Sequence, residues 1–343
     1  MPAPSSDERF AVVVNGNAKR VTDDLIAILD EIVRSGDLFV SRSLEEGKDI
    51  AARIVARGYP LVLTGGGDGT FGQMVTWIVR DCDARGIAPP RFGVLKLGTG
   101  NALAWVLGAE NRRGRGVVPD LARLRRSSTK PLYLIEVDER LTLFAGMGAD
   151  AIALQDFEEV KAWMQRLPVL RSYGTGALAY AIAIVGRSMP RTLVKPKFEA
   201  RVINLGGPVR RIGPNGAPTG PAIATGAPLL DGKCRAVFGS TIPYWGFGAR
   251  VFPFASDRED RFHLRMLDIG PLQVAGHIRS IWRGTYRDPR VYDFLVEHVS
   301  IESTAPVPCQ VGGDGIGARR TLELRLRATP IQVVDHYGPP EVD

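Results

Sequence analysis

The chain has 343 residues, of which 45% are hydrophobic and 24% are charged, and this balance excludes a disordered or fibrous protein. Lysine and arginine number 44 against 37 for aspartate and glutamate, and the net charge of +7 favours an anionic partner such as a nucleotide or a phospholipid surface. The three cysteines form no CxxC motif, which fits a reducing compartment, and the four scattered histidines exclude an HExxH zinc site.

No segment predicts passage through a membrane. The first residues lack the basic and apolar regions of a secretory signal. The longest uncharged apolar stretch, residues 172–186, is shorter than the ~20 residues that a spanning helix needs. We therefore expect a cytoplasmic protein that meets a membrane only peripherally, at its inner face.

The first third of the chain alternates apolar strands with amphipathic helices. Strands are predicted at residues 10–14, 38–40, 60–64 and 92–95, and helices at 22–33, 43–55, 70–85 and 101–107. Such a βαβαβαβα order predicts a parallel sheet covered on both faces, which binds ligands at the carboxyl ends of its strands. The turns at these ends are Asn15-Gly16-Asn17, the run Gly65 to Asp68, and Lys96-Leu97-Gly98.

The rest of the chain favours antiparallel strands. An arginine-rich link over 112–126 precedes a predicted hairpin, with strands at 131–137 and 141–145. One helix is predicted at 176–189 and a surface loop at 206–220. Further strands are predicted at 198–205, 222–225, 234–238, 262–267, 299–303 and 322–326. We expect a nucleotide-binding α/β domain over 1–130, a mostly antiparallel β-sandwich or partial barrel over 131–326, and a tail over 327–343 that could rejoin the first domain.

Two glycine-rich strings carry the chemistry. The first is Gly65, Gly66, Gly67, Asp68, Gly69 and Thr70, between a strand and a helix. Its glycines allow a ligand close to the backbone, and the helix amino end favours a phosphate. The second is Gly98, Thr99, Gly100 and Asn101, also between a strand and a helix. A tight β-α turn and an ordinary helix cap are the structural alternatives.

In this order and spacing, the turn at Asn15 and the two glycine strings resemble the diacylglycerol kinase catalytic domain family. This family includes bacterial lipid kinases and the sphingosine and ceramide kinases, and its nucleotide domain shares the GGDGT loop with NAD kinases and phosphofructokinases. In the second half, residues 144–151 and 227–232 are similar to the family's FDA segment and its A-x-x-x-DG segment. The resemblance spans about residues 10 to 326.

The resemblance implies roles for individual residues. The ATP contacts would come from the two glycine strings together with Asn15, Asn17 and either Ser41 or Ser43, although Ser43 also suits a helix cap. Asp150 would lie near the lipid head group, with a plain helix cap as the alternative. Asp231 would bind a structural Mg²⁺ together with the carbonyl groups of Pro228 and Lys233, with a simple Asp-Gly turn as the alternative.

The chain departs from the family near its end. Many bacterial members have Asp-Gly-Glu there, with the aspartate proposed as the base for the lipid hydroxyl. Here Gly312 occupies the aspartate's place and Asp314 the glutamate's. The catalytic base would then be Asp314 or Asp68, or it is absent. Phosphoryl transfer depends chiefly on positioning and charge stabilisation, so a weak base need not abolish activity.

The lipid side is less defined by the sequence. Residues 163–189 are predicted as a buried helix, with contact to lipid as the alternative. The aromatic residues at 244–254 either line an acyl-chain channel or form core, and the arginines at 112–115 and 123–126 either bind anionic phospholipid or are solvated.

The sequence therefore predicts an ATP- and Mg²⁺-dependent lipid kinase, with diacylglycerol or a related lipid at an anionic membrane surface as acceptor. A kinase for a soluble substrate, of the NAD-kinase type, and a non-catalytic lipid- or nucleotide-binding relative are the alternatives. No nucleic-acid partner is expected, and a homo-oligomer is left open.

Overall fold

The computed structural model describes residues 9–18, 21–33, 37–98, 101–109, 117–123, 128–166, 197–246 and 248–336. These residues divide into two compact units. The first contains those within Met1–Leu134, Glu139–Leu141 and Ala328–Asp343, and the second those within Ile135–Asp138 and Thr142–Arg327. Among the helices of these ranges, none is long and apolar enough to cross a membrane.

The first unit is a layered α/β structure. Its strands are β1 (Phe10–Asn15), β2 (Leu38–Ser41), β3 (Leu61–Gly66), β4 (Arg91–Lys96), β5 (Ser128–Leu132) and β18 (Ile331–Asp335). Its helices are α1 (Asp23–Ile32), α2 (Leu44–Arg57), α3 (Asp68–Arg85), α4 (Ala102–Leu107) and α5 (Val117–Arg123). The strands form one sheet in the order β2-β1-β3-β4-β18-β5. Every pairing from β2 to β18 is parallel, and β5 joins antiparallel, so the predicted α/β domain is confirmed.

Local signals fix the helix ends in this unit. The Thr22 hydroxyl accepts from the Leu25 N–H, and the Ser43 hydroxyl from the Glu46 N–H, so each side chain caps the helix that follows it. Helices α2 and α3 end at Gly58 and Gly86, which adopt the left-handed conformation open to glycine. These caps place the loops of the sheet edge at defined positions.

The core of the first unit comes from apolar residues of β1, β3 and β4 packed against α1. Val12, Leu29, Leu63 and Leu97 all lie in this cluster with almost no exposure. The C-terminal strand β18 contributes Val334 to the same cluster. The sheet is thus built from both ends of the chain.

The second unit is built largely of strands. They are β6 (Ile135–Val137), β7 (Arg140–Thr142, shared with the first unit), β8 (Phe144–Gly148), β9 (Phe198–Asn204), β10 (Val209–Ile212), β11 (Pro218–Ile223), β12 (Pro228–Cys234), β13 (Ala236–Ser240), β14 (Phe262–Leu267), β15 (Val291–Val296), β16 (His298–Val311) and β17 (Asp314–Leu326). The helices are α6 (Ala149–Arg166), α7 (Pro271–Gly276) and α8 (Ile278–Trp282).

These strands form one continuous sheet in the order β11-β10-β15-β14-β13-β8-β16-β17-β6-β7, to which β9 and β12 are added through β16. The mostly antiparallel character that the sequence predicts is confirmed. The long strand β16 pairs with β9 through residues 299–303 and with β8 through residues 309–311. Strand β16 thereby connects β9 and β12 to the rest of the sheet, and residues of these strands share one apolar core.

Two local predictions are wrong. The run 131–137, predicted as one strand, is split between β5 of the first unit and β6 of the second, and the turn after it consists of Asp138 and Glu139. The segment 206–220, read as a loop because of its glycines and prolines, contains β10 and the start of β11. Because β11 is the edge strand of its sheet, its prolines need not donate to a neighbour on both sides.

Candidate functional site

Polar and glycine-rich turns meet at one edge of the first sheet. From β1 the chain passes to β2 on one side and then to β3 on the other, so the direction of winding reverses between β1 and β3. The register pairs Asn15 with Ser41 and Gly66 with Lys96, which aligns the four carboxyl ends. Open α/β sheets bind ligands at such a reversal. The predicted convergence of these turns is therefore what the structure shows.

Gly65 and Gly66 end β3 where no side chain fits. A Cβ atom at Gly65 would lie 2.8 Å from both Val14 Cγ1 and Leu97 Cδ1, and one at Gly66 would lie 2.6 Å from Thr70 Oγ1. Both distances are below those that real Cβ atoms adopt. These glycines therefore let the neighbouring strands and the start of α3 approach closely.

Gly67 has the opposite surroundings. Among the described residues, a Cβ atom there would meet nothing within 4 Å, so in this part of the chain the backbone at the start of α3 faces open space. Gly67 is also the N-cap of α3 and supplies no side-chain hydrogen bond to the first turn, which contains Asp68, Gly69 and Thr70. The N-cap residue of this 18-residue helix thus contributes no side-chain cap. The amino-terminal N–H groups of a helix and its dipole favour an anion at that position.

Asp68 joins the two glycine strings. Its Oδ2 accepts from the Ala102 N–H at 2.8 Å and its Oδ1 from the Leu103 N–H at 3.1 Å. The carboxylate therefore caps α4 from the start of α3. Desolvation raises the pKa of Asp68, and the backbone N–H groups of α4 partly offset this rise because they favour the charged form.

The second glycine string is held by Gly98 and Asn101. The Gly98 N–H donates to the Gly66 carbonyl at 2.8 Å, and a Cβ atom at Gly98 would overlap the backbone of Gly67. The buried Asn101 side chain hydrogen-bonds to both the N–H and the carbonyl of Gly98, and its own backbone adopts φ +46°. Thr99 and Gly100, predicted to contact ATP, lie outside the described residues.

The predicted polar contacts around β1 and β2 are partly structural. The Asn15 amide donates to Thr70 Oγ1 at 3.2 Å, which links the β1 turn to the GGGDGT string. The Asn17 N–H donates to Asn15 Oδ1, and its side chain is directed to the Arg42 carbonyl. The Ser41 hydroxyl donates to the Ser43 carbonyl, and Ser43 caps α2. The structure thus favours the capping role of Ser43.

Sequence reasoning missed a cation beside this edge. Lys96 ends β4, and its ammonium lies 4.0 Å from the ring centroid of the exposed Trp105 on α4. The signal available in the sequence was the position of Lys96 directly before the second glycine string. It adds a positive charge to an edge that already presents a helix amino end.

In the second unit, Asp150 is a buried acid at the start of α6. It follows the wholly buried strand β8 and is 6% exposed. Oδ2 accepts from the Gln310 amide at 3.1 Å, whereas Oδ1 has no hydrogen-bond partner among the described residues. Desolvation raises the pKa of Asp150 to about 6, although the Gln310 amide and the backbone N–H groups favour the charged form.

The turn at Gly312 lies in the hydrogen-bond network of Asp150. Val311 pairs with Asp314 across a two-residue turn in which Gly312 and Gly313 have φ of +62° and +90°, as a tight hairpin requires. The Gly313 N–H donates to the Gln310 side-chain oxygen, and Gln310 in turn contacts Asp150. Asp314 begins β17 after this turn. Asp68 and Asp314, the two predicted catalytic acids, belong to different units.

The predicted magnesium set does not converge. Pro228, Asp231 and Lys233 all lie in β12, and the Asp231 carboxylate is exposed, 3.8 Å from Arg201. An extended strand rises about 3.3 Å per residue, so Pro228 and Lys233 lie roughly 16 Å apart. A Mg²⁺ ion holds its ligands at about 2.1 Å, so one ion cannot bind both. Among the described residues no group of three or more His, Cys, Asp or Glu could hold a metal.

The residues predicted for the lipid side are partly buried in the core, partly exposed and partly outside the described residues. Phe252 and Phe254 are buried in the core of the second unit, and Trp245 packs against the cluster of Phe238 and Phe252, so the structure favours core over a channel at these positions. Trp163 lies exposed on α6. Arg123 ends α5. The remaining positions of these predictions, 110–116, 124–127, 167–196 and 247, lie outside the described residues.

The comparisons with known proteins agree with this geometry. Residues 9–137 match the family model of the diacylglycerol kinase catalytic domain, which confirms the resemblance over the first unit's sheet edge. A search of curated proteins found no significant match.

Solved structures from Bacillus anthracis str. Sterne share the fold. One, a "putative diacylglycerol kinase", has 13% identity and a TM-score of 0.64, covering 97% of this chain and 99% of that chain. A second structure so described has 12% identity and a TM-score of 0.62, covering 97% and 98%. A third, a diacylglycerol kinase, has 11% identity and a TM-score of 0.58, also covering 97% and 98%. At such identities the likeness establishes the fold of both units.

Proposed function

We propose, from the premise that residues 9–137 are a diacylglycerol kinase catalytic domain, that the protein transfers the γ-phosphoryl group of ATP to the hydroxyl group of a lipid. Diacylglycerol is the acceptor we expect first, because it is the substrate that the family's name gives. The observation that carries the proposal is the amino end of α3 at Gly67, where the backbone is open in the described part of the chain, at the winding reversal of a parallel sheet.

ATP would bind through its phosphates at this edge. The open space in front of Gly67 leaves room for a phosphate against the backbone, and the dipole of α3 favours its negative charge. Lys96 adds a cation at the end of β4. Mg²⁺ would arrive as part of the substrate, bound to the phosphates of ATP.

Asp68 has a positioning role in this proposal. Both of its carboxylate oxygens accept N–H groups of α4, and a carboxylate so engaged is a weaker candidate for a proton acceptor or a metal ligand. It would hold the second glycine string in register with the first. Asp68 would therefore shape the nucleotide site rather than take part in the chemical step.

On the acceptor side, Asp150 would accept the hydrogen bond of the lipid hydroxyl. Its Oδ1 is buried without a partner in the described residues, and its raised pKa suits a group that gains and loses a proton near neutral pH. The hydroxyl oxygen would form a bond to the γ-phosphorus while the bond from that phosphorus to the β,γ-bridging oxygen breaks, and the hydroxyl proton would pass to a carboxylate. Asp314 is the alternative acceptor of that proton.

A radiolabelled γ-phosphate transfer assay tests the proposal. The acceptors are diacylglycerol, ceramide and sphingosine in mixed micelles, and NAD as a soluble acceptor. We expect label in a lipid, with a strong loss of rate in Asp150→Asn and with ATP binding unchanged in that variant. Loss in Asp314→Asn instead would transfer the proton-accepting role to Asp314.

The same assay can overturn the proposal. Label in NAD alone would support the soluble-substrate kinase. ATP binding by calorimetry without transfer to any acceptor would favour a non-catalytic relative. Asp231→Asn, at an exposed carboxylate of the second unit, is the matched control and should retain the rate of the unmodified protein.

A further inference from the structure

A short helical segment of the second unit has two distinct faces. Helices α7 and α8 follow each other over residues 271–282. On the inner face, Val274 and Ile281 pack against a cluster of Ile269, Tyr286 and Val291. Neither helix has a fully buried residue, so the segment lies on the surface and is held through one side only.

The outer face of this segment is apolar. Leu272, Ile278 and Trp282 are 67%, 48% and 41% exposed. Ile278 and Trp282 are four residues apart on α8 and therefore lie on the same side of that helix. Ten large apolar side chains are exposed in the described part of the chain, and three of them fall within these eleven residues. Exposed apolar clusters of this kind mark interaction surfaces.

Unpaired cations border this apolar face. Arg279 and Arg283 are exposed and one helical turn apart, each directly after one of the apolar residues of α8. Neither makes an ion pair or a side-chain hydrogen bond with the residues that the structure describes, whereas Arg290 nearby is held by Asp288. Residues 269–287 contain no aspartate or glutamate. The charge of the face is therefore complementary to an anionic partner.

The combination fits the interface of an anionic bilayer. Tryptophan prefers the level of the lipid head groups, the arginines can contact lipid phosphates, and an amphipathic segment lies in the plane of that interface. Helices of six and five residues are far too short to span the hydrocarbon core. Three apolar side chains match the shallow insertion of an interfacial segment better than the larger apolar core of a stable protein–protein interface.

We propose that α7 and α8 form a membrane-docking surface, in which Leu272, Ile278 and Trp282 enter the head-group region of an anionic bilayer and Arg279 and Arg283 contact its phosphates. The inference rests on the proposed lipid kinase function, because a kinase for a membrane lipid must meet its acceptor at the bilayer surface.

Vesicle sedimentation of the full chain tests the proposal. The vesicles are phosphatidylcholine alone, or phosphatidylcholine mixed with phosphatidylglycerol. We expect binding to the mixed vesicles, weakened about fivefold per arginine in Arg279→Gln/Arg283→Gln, since each basic residue near an anionic surface contributes about that factor. Ile278→Ser/Trp282→Ser should weaken binding by tenfold or more.

Matched controls separate the surface from general effects. Ile87→Ser removes a similarly exposed apolar side chain from the first unit, and Arg210→Gln/Arg320→Gln removes two exposed arginines elsewhere in the second unit. Both should bind the mixed vesicles like the unmodified protein. Circular dichroism and thermal unfolding verify that each variant is folded.

The outcomes also separate docking from catalysis. Docking variants should transfer phosphate at an unchanged rate to a dispersed short-chain diacylglycerol, yet lose transfer to a long-chain acceptor in vesicles. If the α8 variants bind vesicles like the unmodified protein, the docking proposal fails while the kinase proposal stands. If the unmodified protein binds through this surface but phosphorylates no lipid, the kinase proposal fails instead. Self-association lost in the variants, without vesicle binding, would assign the surface to a second copy of the chain.

Discussion

Gly67 and Gly98 occupy neighbouring loops, but a methyl group meets opposite surroundings at the two positions. At Gly98 it would overlap the backbone of Gly67 and lie 2.6 Å from the Gly66 carbonyl oxygen, whereas at Gly67 it would enter open space. The fold thus constrains position 98 to glycine. Gly67 is free of such a constraint and faces the space where we propose that ATP binds.

Substitution by alanine separates these two constraints. Gly98→Ala should lower the free energy of unfolding by about 2 kcal/mol, because the backbone must move to admit the methyl group. Gly67→Ala should cost at most about 1 kcal/mol as a poorer N-cap, while it weakens ATP binding at least about tenfold. Urea unfolding and calorimetric ATP titration measure the two effects. Equal ATP affinity in Gly67→Ala and the unmodified protein would contradict the proposed phosphate position.

Asp150 should destabilise the protein near neutral pH. Its pKa is about 6 in the folded state and near 3.8 when unfolded, so the folded state binds more protons between these values. The stabilising effect of the protonated form is complete below pH 3.8 and is lost as the pH rises through about 6. Asp150→Asn mimics that form and can still accept the Gln310 hydrogen bond.

We therefore expect Asp150→Asn to be more stable than the unmodified protein by about 3 kcal/mol at pH 7.5, with the difference shrinking towards zero near pH 4. Urea unfolding across this pH range measures it. Asp231→Asn removes one exposed carboxylate of the same unit and controls for the change in net charge. A gain that is independent of pH would show that burial of the charge is not its cause.

At the residue scale, the sequence identified the glycine strings because their residue types have few other uses at a strand-to-helix junction. It could not assign the partners of Asp68, since these are backbone groups of residues more than thirty positions away. It also could not foresee that Gln310 connects Asp150 to the turn at Gly312, because that contact depends on the pairing of β8 with β16. The sequence thus identified the residues of the site, but it could not predict the contacts between residues that are far apart in the chain.

At the scale of elements, α4 depends on a cap from outside its own sequence. Asn101 occupies its N-cap position without capping it through the side chain, and Asp68 supplies both acceptors. Asp68→Ala should therefore accelerate amide hydrogen exchange of Ala102 and Leu103 by roughly tenfold, as expected for the loss of a helix cap. Asp24→Asn, in the first turn of α1, is the control because Thr22 caps that helix.

Unchanged exchange in Asp68→Ala would show that α4 is held by its core contacts alone. If exchange accelerates and ATP binding also weakens, the second glycine string is part of the nucleotide site and Asp68 positions it.

Strands with continuous apolar runs were predicted well, whereas strands that form only because they pair with neighbouring strands were predicted poorly. The sequence predicts β1, β3 and β4 because each contains a compact apolar run. Among the strands that it missed wholly or for the most part are β10, β11 and β18. The first two are rich in glycine, proline and arginine and are stable only through their neighbours in the sheet. The third, β18, is a five-residue strand, too short to be predicted without knowing that it pairs with β4 and β5.

At the scale of the molecule, the first unit is completed by the end of the chain. Strand β18 lies between β4 and β5, and Val333 is fully buried there. Val333→Asp should lower the free energy of unfolding of this unit by at least about 3 kcal/mol, because a carboxylate would enter its core. Gln332→Asp, at the neighbouring partly exposed position, should cost less than about 1 kcal/mol.

Limited proteolysis with mass spectrometry measures this effect for each unit. In Val333→Asp, peptides from residues 9–134 should be released well before those from residues 198–326. Simultaneous release from both units would mean that they unfold as one cooperative body.

The position of β18 also sets an order of events during protein synthesis. A ribosome delivers β1 to β4 first, but the place beside β4 stays empty until residues 331–335 emerge from the exit tunnel. The strands of the second unit are all translated before that moment. The unit that is made first is thus finished last, and until then the edge of β4 presents the unpaired backbone groups of an edge strand, the kind that can pair with other chains.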